Sequence, residues 1–134
     1  MTPEQVIDMD NDPAPSPASA QQAAPRDSAL VAAMDIAEVP AVEVVLTVAM
    51  HLMSASAIAC GLDEEHPNPD LAEARILINA LAGLVTAAAP DLGSMHAAPI
   101  RDGLSALQRA FREASTIPDA PGMGPGEGLT GPVW

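Results

Sequence analysis

The chain of 134 residues carries 18 acidic side chains against five basic ones, a formal charge of −13; this limits it to at most one ordinary domain and disfavours nonspecific nucleic-acid binding, because phosphate contact needs basic residues. All five bases are arginines (Arg26, Arg75, Arg101, Arg109, Arg112), and the single cysteine, Cys60, excludes an intrachain disulfide. With Phe111 and Trp134 the aromatic residues and no tyrosine, a core has to be built from Ala, Val, Leu, Ile and Met.

Residues 1–27 hold Asp8, Asp10 and Asp12, then Pro13, Pro15 and Pro17 in an Ala/Ser/Gln stretch. This composition has no hydrophobic period and predicts a disordered acidic tail. Asp27 or Ser28 can cap a short helix over 28–38, with Leu30, Val31, Met34 and Ala37 on one side. Two turns do not stand alone in water, so that helix must dock or fray. A first long helix is expected from Pro40, with Glu43 in its first turn, to Cys60, where Gly61 supplies the stop. Asp63-Glu64-Glu65-His66-Pro67 reads as a loop. Asn68 as N-cap and Pro69 at the first helical position open a second helix, which Pro90 is expected to end at about Ala89. Its Leu71, Ala74, Ile78, Leu81, Val85 and Ala88 recur at three and four residues, a coiled-coil-like seam, with Leu77 and Leu84 as a second apolar row.

After the segment Asp91–His96, Pro99 is expected to open the third helix. Ile100, Leu104, Leu107, Phe111 and Ala114 line one face of it, and Arg101, Ser105, Gln108 and Arg112 the other. Residues 117–134 contain four prolines and five glycines and are predicted to form neither helix nor strand. The expected fold class is therefore all-α: an antiparallel three-helix bundle over 39–116, with a short N-terminal helix and disordered acidic N-terminal and Pro/Gly-rich C-terminal tails. So small a core is marginal unless something adds to it, such as a metal or a second copy of the chain.

The run from Val44 to Leu62 carries no formal charge and reaches the length of a spanning helix. Thr47, His51, Ser54 and Ser56 interrupt it, and acids flank both ends with no basic or aromatic anchors. A helix apolar nearly all round is equally the signature of the central helix of a bundle, and that reading is preferred over the membrane. The acidic start, Met1-Thr2-Pro3-Glu4-Gln5, lacks the basic region of a secretory signal, so a cytoplasmic location is expected.

No catalytic constellation is visible. His51 sits on the row Val44, Val48, His51, Ala55, Ile58, with no acid or nucleophile at helical spacing to orient it as a base. His51, Cys60, His66 and His96 are the weak metal candidates, but one Cys followed six residues later by His lacks the paired spacing of a structural zinc site. Gly122–Gly128 only superficially resembles a phosphate-cradling loop, since no strand precedes it and no Lys-Ser/Thr follows. No cofactor is expected. Arg101, Arg109 and Arg112 make one face of the third helix the basic surface of an acidic chain. They are candidates for docking an acidic partner, the chain's own N-terminal tail included, or for plain solvation with ion pairs to Asp102 and Glu113. Trp134, on a Pro/Gly tether, is a candidate anchor for a partner's pocket.

The blocks Val39–Val44, His51–Ala55, Gly61-Leu62, Asp70–Arg75 and Ala97–Leu104 together resemble the family of short bacterial proteins catalogued as domain of unknown function 1844, in its high-GC Gram-positive branch. The likeness spans about Val39 to Ser115. It implies a cytoplasmic housekeeping setting, since members are often encoded near translation genes, and implies no activity, cofactor or catalytic residue. The residues themselves favour a non-enzymatic helical interaction module that self-associates as a homodimer, because the first helix is apolar on more faces than two neighbours can cover. The alternatives are a small-molecule or metal-binding enzyme using His51 with His96 or Cys60 at a helix interface, and peripheral membrane association through the first long helix.

Overall fold

The termini of the helices follow from a few backbone positions. The computed structural model describes residues 37–134, all but the first three in one unit, Pro40–Trp134. It contains α1 (Ala41–Ala59), α2 (Leu71–Leu92), α3 (Ser94–Ala114) and a four-residue α4 (Glu127–Thr130). The tail expected over 1–27 and the helix expected over 28–38 lie outside the described residues, apart from a turn at Ala37–Glu38.

Pro40 stands as the N-cap of α1, so the helix starts one residue later than expected, without a side-chain hydrogen bond to the free amides. The other end closes as anticipated. Gly61 adopts φ 82°, its N–H donates to Ile58 O at 2.9 Å, and Leu62 N–H reaches Ala57 O at 3.0 Å. That pair of bonds satisfies the carbonyls a helix terminus leaves free. A side chain at Gly61 would place its Cβ 2.9 Å from Pro67 O, so the chain also needs glycine here for the loop to fold back.

The start of α2 differs from expectation. Asp70, not Asn68, is the N-cap, and its carboxylate accepts from Glu73 N at 3.2 Å while its own N–H donates to Ala59 O at 2.8 Å. The α2–α3 boundary differs as well, because α2 runs through Pro90 to Leu92, α3 starts at Ser94, and Pro99 is internal. Each proline removes one i→i−4 bond, to the carbonyls of Thr86 and Met95. Both of those residues are exposed, where solvent lowers the cost of a carbonyl left without its helical donor. Gly93 alone joins the two helices. It holds φ 80°, donates to Ala89 O at 3.1 Å and accepts from Ala97 N at 2.9 Å.

The helices pack on one another as a bundle without strands among the described residues. Its centre is α2, whose Ala74, Ile78, Leu81, Ala82, Val85, Ala89 and Leu92 are buried, against Ala97, Ile100, Leu104, Leu107 and Phe111 of α3. Arg75 lies over the Phe111 ring, and Ala82 and Gln108 both touch Gly126, so α2 and α3 run antiparallel. The preferred reading of the first helix as the central one is therefore corrected. In α1 only Ala49 and Ser56 are buried, and Val42, Val45, Leu46, Leu52 and Met53 form a partly covered inner edge.

Residues 117–134 are also unlike the disordered tail that their composition suggests. They form a strap across α2 and α3, with Gly124, Pro125, Gly126, Glu127 and Val133 buried. Polar side chains of the helices hold it. Asn79 Oδ1 accepts from Gly126 N–H at 2.8 Å, and Gln108 Nε2 donates to Pro125 O at 3.1 Å and to Thr130 Oγ1 at 3.0 Å. Gln108, placed on the polar face by its sequence position, is thus 1% exposed. Composition argued against helix because proline and glycine carry no apolar period, but the strap needs only its backbone groups paired.

Candidate interaction surfaces

Two surfaces could carry function, and they are built oppositely. On the outer side of α1, Val44, Val48, His51, Ala55 and Ile58 form the row read from the sequence. Val48 is 45% exposed and Ile58 43%, Val44 and Ala55 are half-buried, and Ala41 extends the row at its start. The spacing alternates three and four residues throughout, the pattern that keeps one side of a helix facing a partner helix. Glu43 is the only formal charge in α1, and the residues beside the row, Thr47 and Ser54, are uncharged. At mid-row Thr47, Val48, His51, Leu52 and Ala55 line an apolar depression of about 440 Å³.

The strap carries its polarity inside. The Glu127 carboxylate, 6% exposed, accepts from Gly122 N at 3.1 Å and Val133 N at 3.3 Å. An acid thereby occupies the place where a phosphate loop would bring its anion. Arg75 Nη2 bonds Asp119 Oδ2 at 2.7 Å and its guanidinium stacks 4.9 Å from the Phe111 centroid, which fixes the start of the strap. Asn79, Gln108, Glu127 and Asp119 were not singled out from the sequence. No local signal marked them, and Gln108 fell by its spacing on the polar face with Arg101, Ser105 and Arg112.

The metal candidates are not brought together. His51 and Cys60 lie on one helix about 13 Å apart along its axis, and His51 and His96 are both exposed. Cys60 is buried, and burial pushes its thiol pKa up, which disfavours the thiolate a metal or an electrophile needs. His66 instead meets Asp63 and Glu65, their ligand atoms within 4.8 Å of one another in an exposed loop. His66 Nδ1 lies 2.8 Å from Asp63 Oδ2, and Asp63 Oδ1 accepts from Glu65 N at 3.3 Å. These hydrogen bonds, the one from His66 first, hold the Asp63 carboxyl below its ordinary pKa. They account for the shape of the loop as a turn.

Among the basic candidates, Arg101 and Arg109 are exposed, while Arg112 is half-buried and donates to Asp119 O at 3.3 Å. Among the described residues none of the three is ion-paired, with Asp102 and Glu113 or otherwise. Arg101 borders a cleft of about 380 Å³ between α2, α3 and α4, lined also by Val85, Thr86, Ser105 and Leu129. Trp134 is 79% exposed beyond buried Val133, so it projects from an anchored strap and not from a free tether.

A family model described as Domain of unknown function (DUF1844) matches residues 41–113, which spans α1 to the last turn of α3. No curated protein and no solved structure matches the chain. The matched region is more than half of the sequence, and the chain belongs to that family.

Proposed function

We propose that this member of the family is a non-enzymatic helical interaction module that acts as a homodimer through α1. The observation that carries the reading is the mismatch between the composition of α1 and its cover. Nineteen residues with one formal charge have only Ala49 and Ser56 buried among the described elements. Val48, Met50 and Ile58 are left exposed on this one helix, and uncovered large apolar side chains gathered on one element are a usual mark of an association surface. The test is the molar mass of the full chain in solution, by light scattering at tens of micromolar. A dimer of the 13.6 kDa chain is expected; a strict monomer overturns the reading.

One observation favours a second reading. α1 is long and apolar enough to cross a bilayer, and its exposed face would suit the surface of one as well. The acids at both of its ends oppose an anionic surface. Flotation with neutral and with anionic vesicles separates the readings: protein that rises with vesicles favours the membrane, and protein left wholly in the soluble fraction removes it.

A further inference from the structure

We infer that the cleft between α2, α3 and α4 binds a small aliphatic monocarboxylate, its charge on Arg101 and its apolar body on Val85, Leu104 and Leu129. The site stands or falls apart from association through α1, which contributes no residue to it. Its shape follows from local spacing. Arg101 and Ser105 are four residues apart in α3, so they stand one above the other on one helix face, with Leu104 beside them. Val85 and Thr86 of α2 form a second wall, and Leu129 and Thr130 of α4 a third. The bonds of the strap hold that third wall in place: Asn79 Oδ1 accepts from Gly126 N–H at 2.8 Å, and Gln108 Nε2 donates to Thr130 Oγ1 at 3.0 Å. At about 380 Å³ the cleft lies at the small end of ligand sites, which run from roughly 300 to 1,000 Å³.

The polar side chains of the cleft supply the first argument, because most of them are left unused by the fold. Thr47, Ser56 and Ser115 turn their hydroxyls back onto the carbonyl four residues earlier, at 2.9, 2.6 and 2.7 Å. Among the described residues the hydroxyls of Thr86 and Ser105 make no such bond, and Arg101 has neither a hydrogen-bond nor an ion-pair partner, unlike Arg75 and Arg112. Thr130 is different. Its Oγ1 accepts from Gln108 and lies 3.3 Å from Gly126 O and 3.1 Å from Gly131 O, so that hydroxyl is engaged within the protein. The cleft therefore offers a guanidinium and two free hydroxyls, a donor set that suits the two oxygens of a carboxylate.

Charge and lining supply the second. The chain has 18 acids against five bases, yet among the described residues no acid lines the cleft. Asp102, next to Arg101 in sequence, is exposed and does not pair with it. Glu127, the acid that begins α4, turns its carboxylate to Gly122 N and Val133 N. One unopposed cation suits one negative charge. A phosphate monoester, with nearly two charges at neutral pH, calls for further cations or free main-chain amides. Arg101 is the one cation of the lining, and the amides of Leu129 and Thr130 are already bonded to Gly126 O. The rest of the lining is aliphatic, with Val85 and Leu104 buried and Leu129 exposed. No aromatic side chain lines the cleft to stack on a ring, so the body it takes is a short aliphatic chain.

The probe is hexanoate, titrated into the full chain at physiological salt and followed by the amide NMR signals of residues 85–86, 101–105 and 129–130. Saturable shifts centred on those residues are expected, with a dissociation constant on the order of 1 mM, because an arginine pair open to solvent is weak. Acetate, which has the charge without the chain, and hexanol, which has the chain without the charge, are each expected to bind at least about tenfold more weakly. Arg101→Gln is expected to weaken hexanoate at least about tenfold, while Arg109→Gln, on the same helix but outside the cleft, leaves it unchanged. The spectrum of each variant before titration reports its fold. No saturable shift far above that concentration, or a shift that Arg101→Gln leaves in place, overturns the site. Hexanol binding as tightly as hexanoate would make the cleft an apolar crevice in which Arg101 has no part, and methyl phosphate binding more tightly would make the ligand a phosphate ester. Either of these overturns the carboxylate assignment.

Discussion

The outer face of α1 and the C-terminal strap reverse the usual relation between composition and burial. The face is among the most apolar stretches of the chain and stays outside. The strap is its most Pro/Gly-rich stretch, and five of its residues go inside. Burial is decided in each case by what satisfies the backbone and not by hydrophobicity alone. A helix pairs its own amides and can wait with an apolar side uncovered, at the cost of about 25 cal/mol per Å² left in water. An irregular segment cannot wait, because each unpaired buried amide or carbonyl costs about 1–3 kcal/mol. The strap therefore lies where Asn79, Gln108 and Glu127 offer partners.

Removing the strap breaks this comparison most severely. Deletion of residues 117–134 uncovers Ile78, Ala82 and Gln108, frees Arg75 from Asp119 and leaves Gln108 with no partner for its amide. The expected loss is roughly 3 kcal/mol, or a fall in melting temperature of about 10 °C or more for a domain of this size. An unchanged melting temperature would mean that the strap lies on the helices without contributing to their stability. A finer cut is Gly126→Ala. Gly126 has φ 76°, and a Cβ there would sit 2.8 Å from Ala82 Cβ and 3.0 Å from Gln108 Nε2. About 2 kcal/mol of destabilisation is expected. Gly128→Ala, two residues on with open space around it, is expected to stay within about 0.5 kcal/mol. Equal effects at the two positions would remove the close approach as the cause.

The α1 face is expected to respond the other way, with association changing and fold not. Val48→Asp places a charge in the middle of the apolar row, at a position 45% exposed in the single copy. Thermal stability extrapolated to low concentration is expected to change by no more than about 0.5 kcal/mol. Self-association is expected to weaken at least about 100-fold, read by sedimentation across a concentration series. Should Val48→Asp unfold the protein instead, the row would be part of a single chain's core and the comparison would fail.

Much of the helical core was legible in the sequence, and the reason is periodic. Ile78, Leu81 and Val85 in α2, and Ile100, Leu104, Leu107 and Phe111 in α3, are buried as their spacing predicts. Prolines misled at the α2–α3 boundary because their cost depends on whether water can reach the orphaned carbonyl, and spacing does not report that. The exchange of centre between α1 and α2 was equally hidden. Both helices carry long apolar runs, and periodicity alone does not report which one lies between the others. The row Val44, Val48, His51, Ala55, Ile58 was legible as a row, and so was the excess of apolar surface on the first helix over what its neighbours cover. The strap was illegible because its determinants are hydrogen bonds across long separations, such as Asn79 to Gly126, that leave no local pattern.

The smallest expected effect concerns the loop that joins the two helices at the end of the apolar face. Asp63 is held below the ordinary carboxylate pKa chiefly by its hydrogen bond to His66, with help from Glu65 N–H. His66→Ala removes the larger cause, so the Asp63 carboxyl is expected to titrate at higher pH, closer to its ordinary range, in an NMR titration. A group whose pKa is lower folded than unfolded stabilises the fold above its unfolded pKa and ceases to do so as pH falls through the folded one. The variant should therefore differ from the parent only in acid, and there slightly, because the pair is exposed and solvent screens it. If Asp63 titrates at the same pH with and without His66, the loop is held by its backbone turn alone, and His66 is a bystander there.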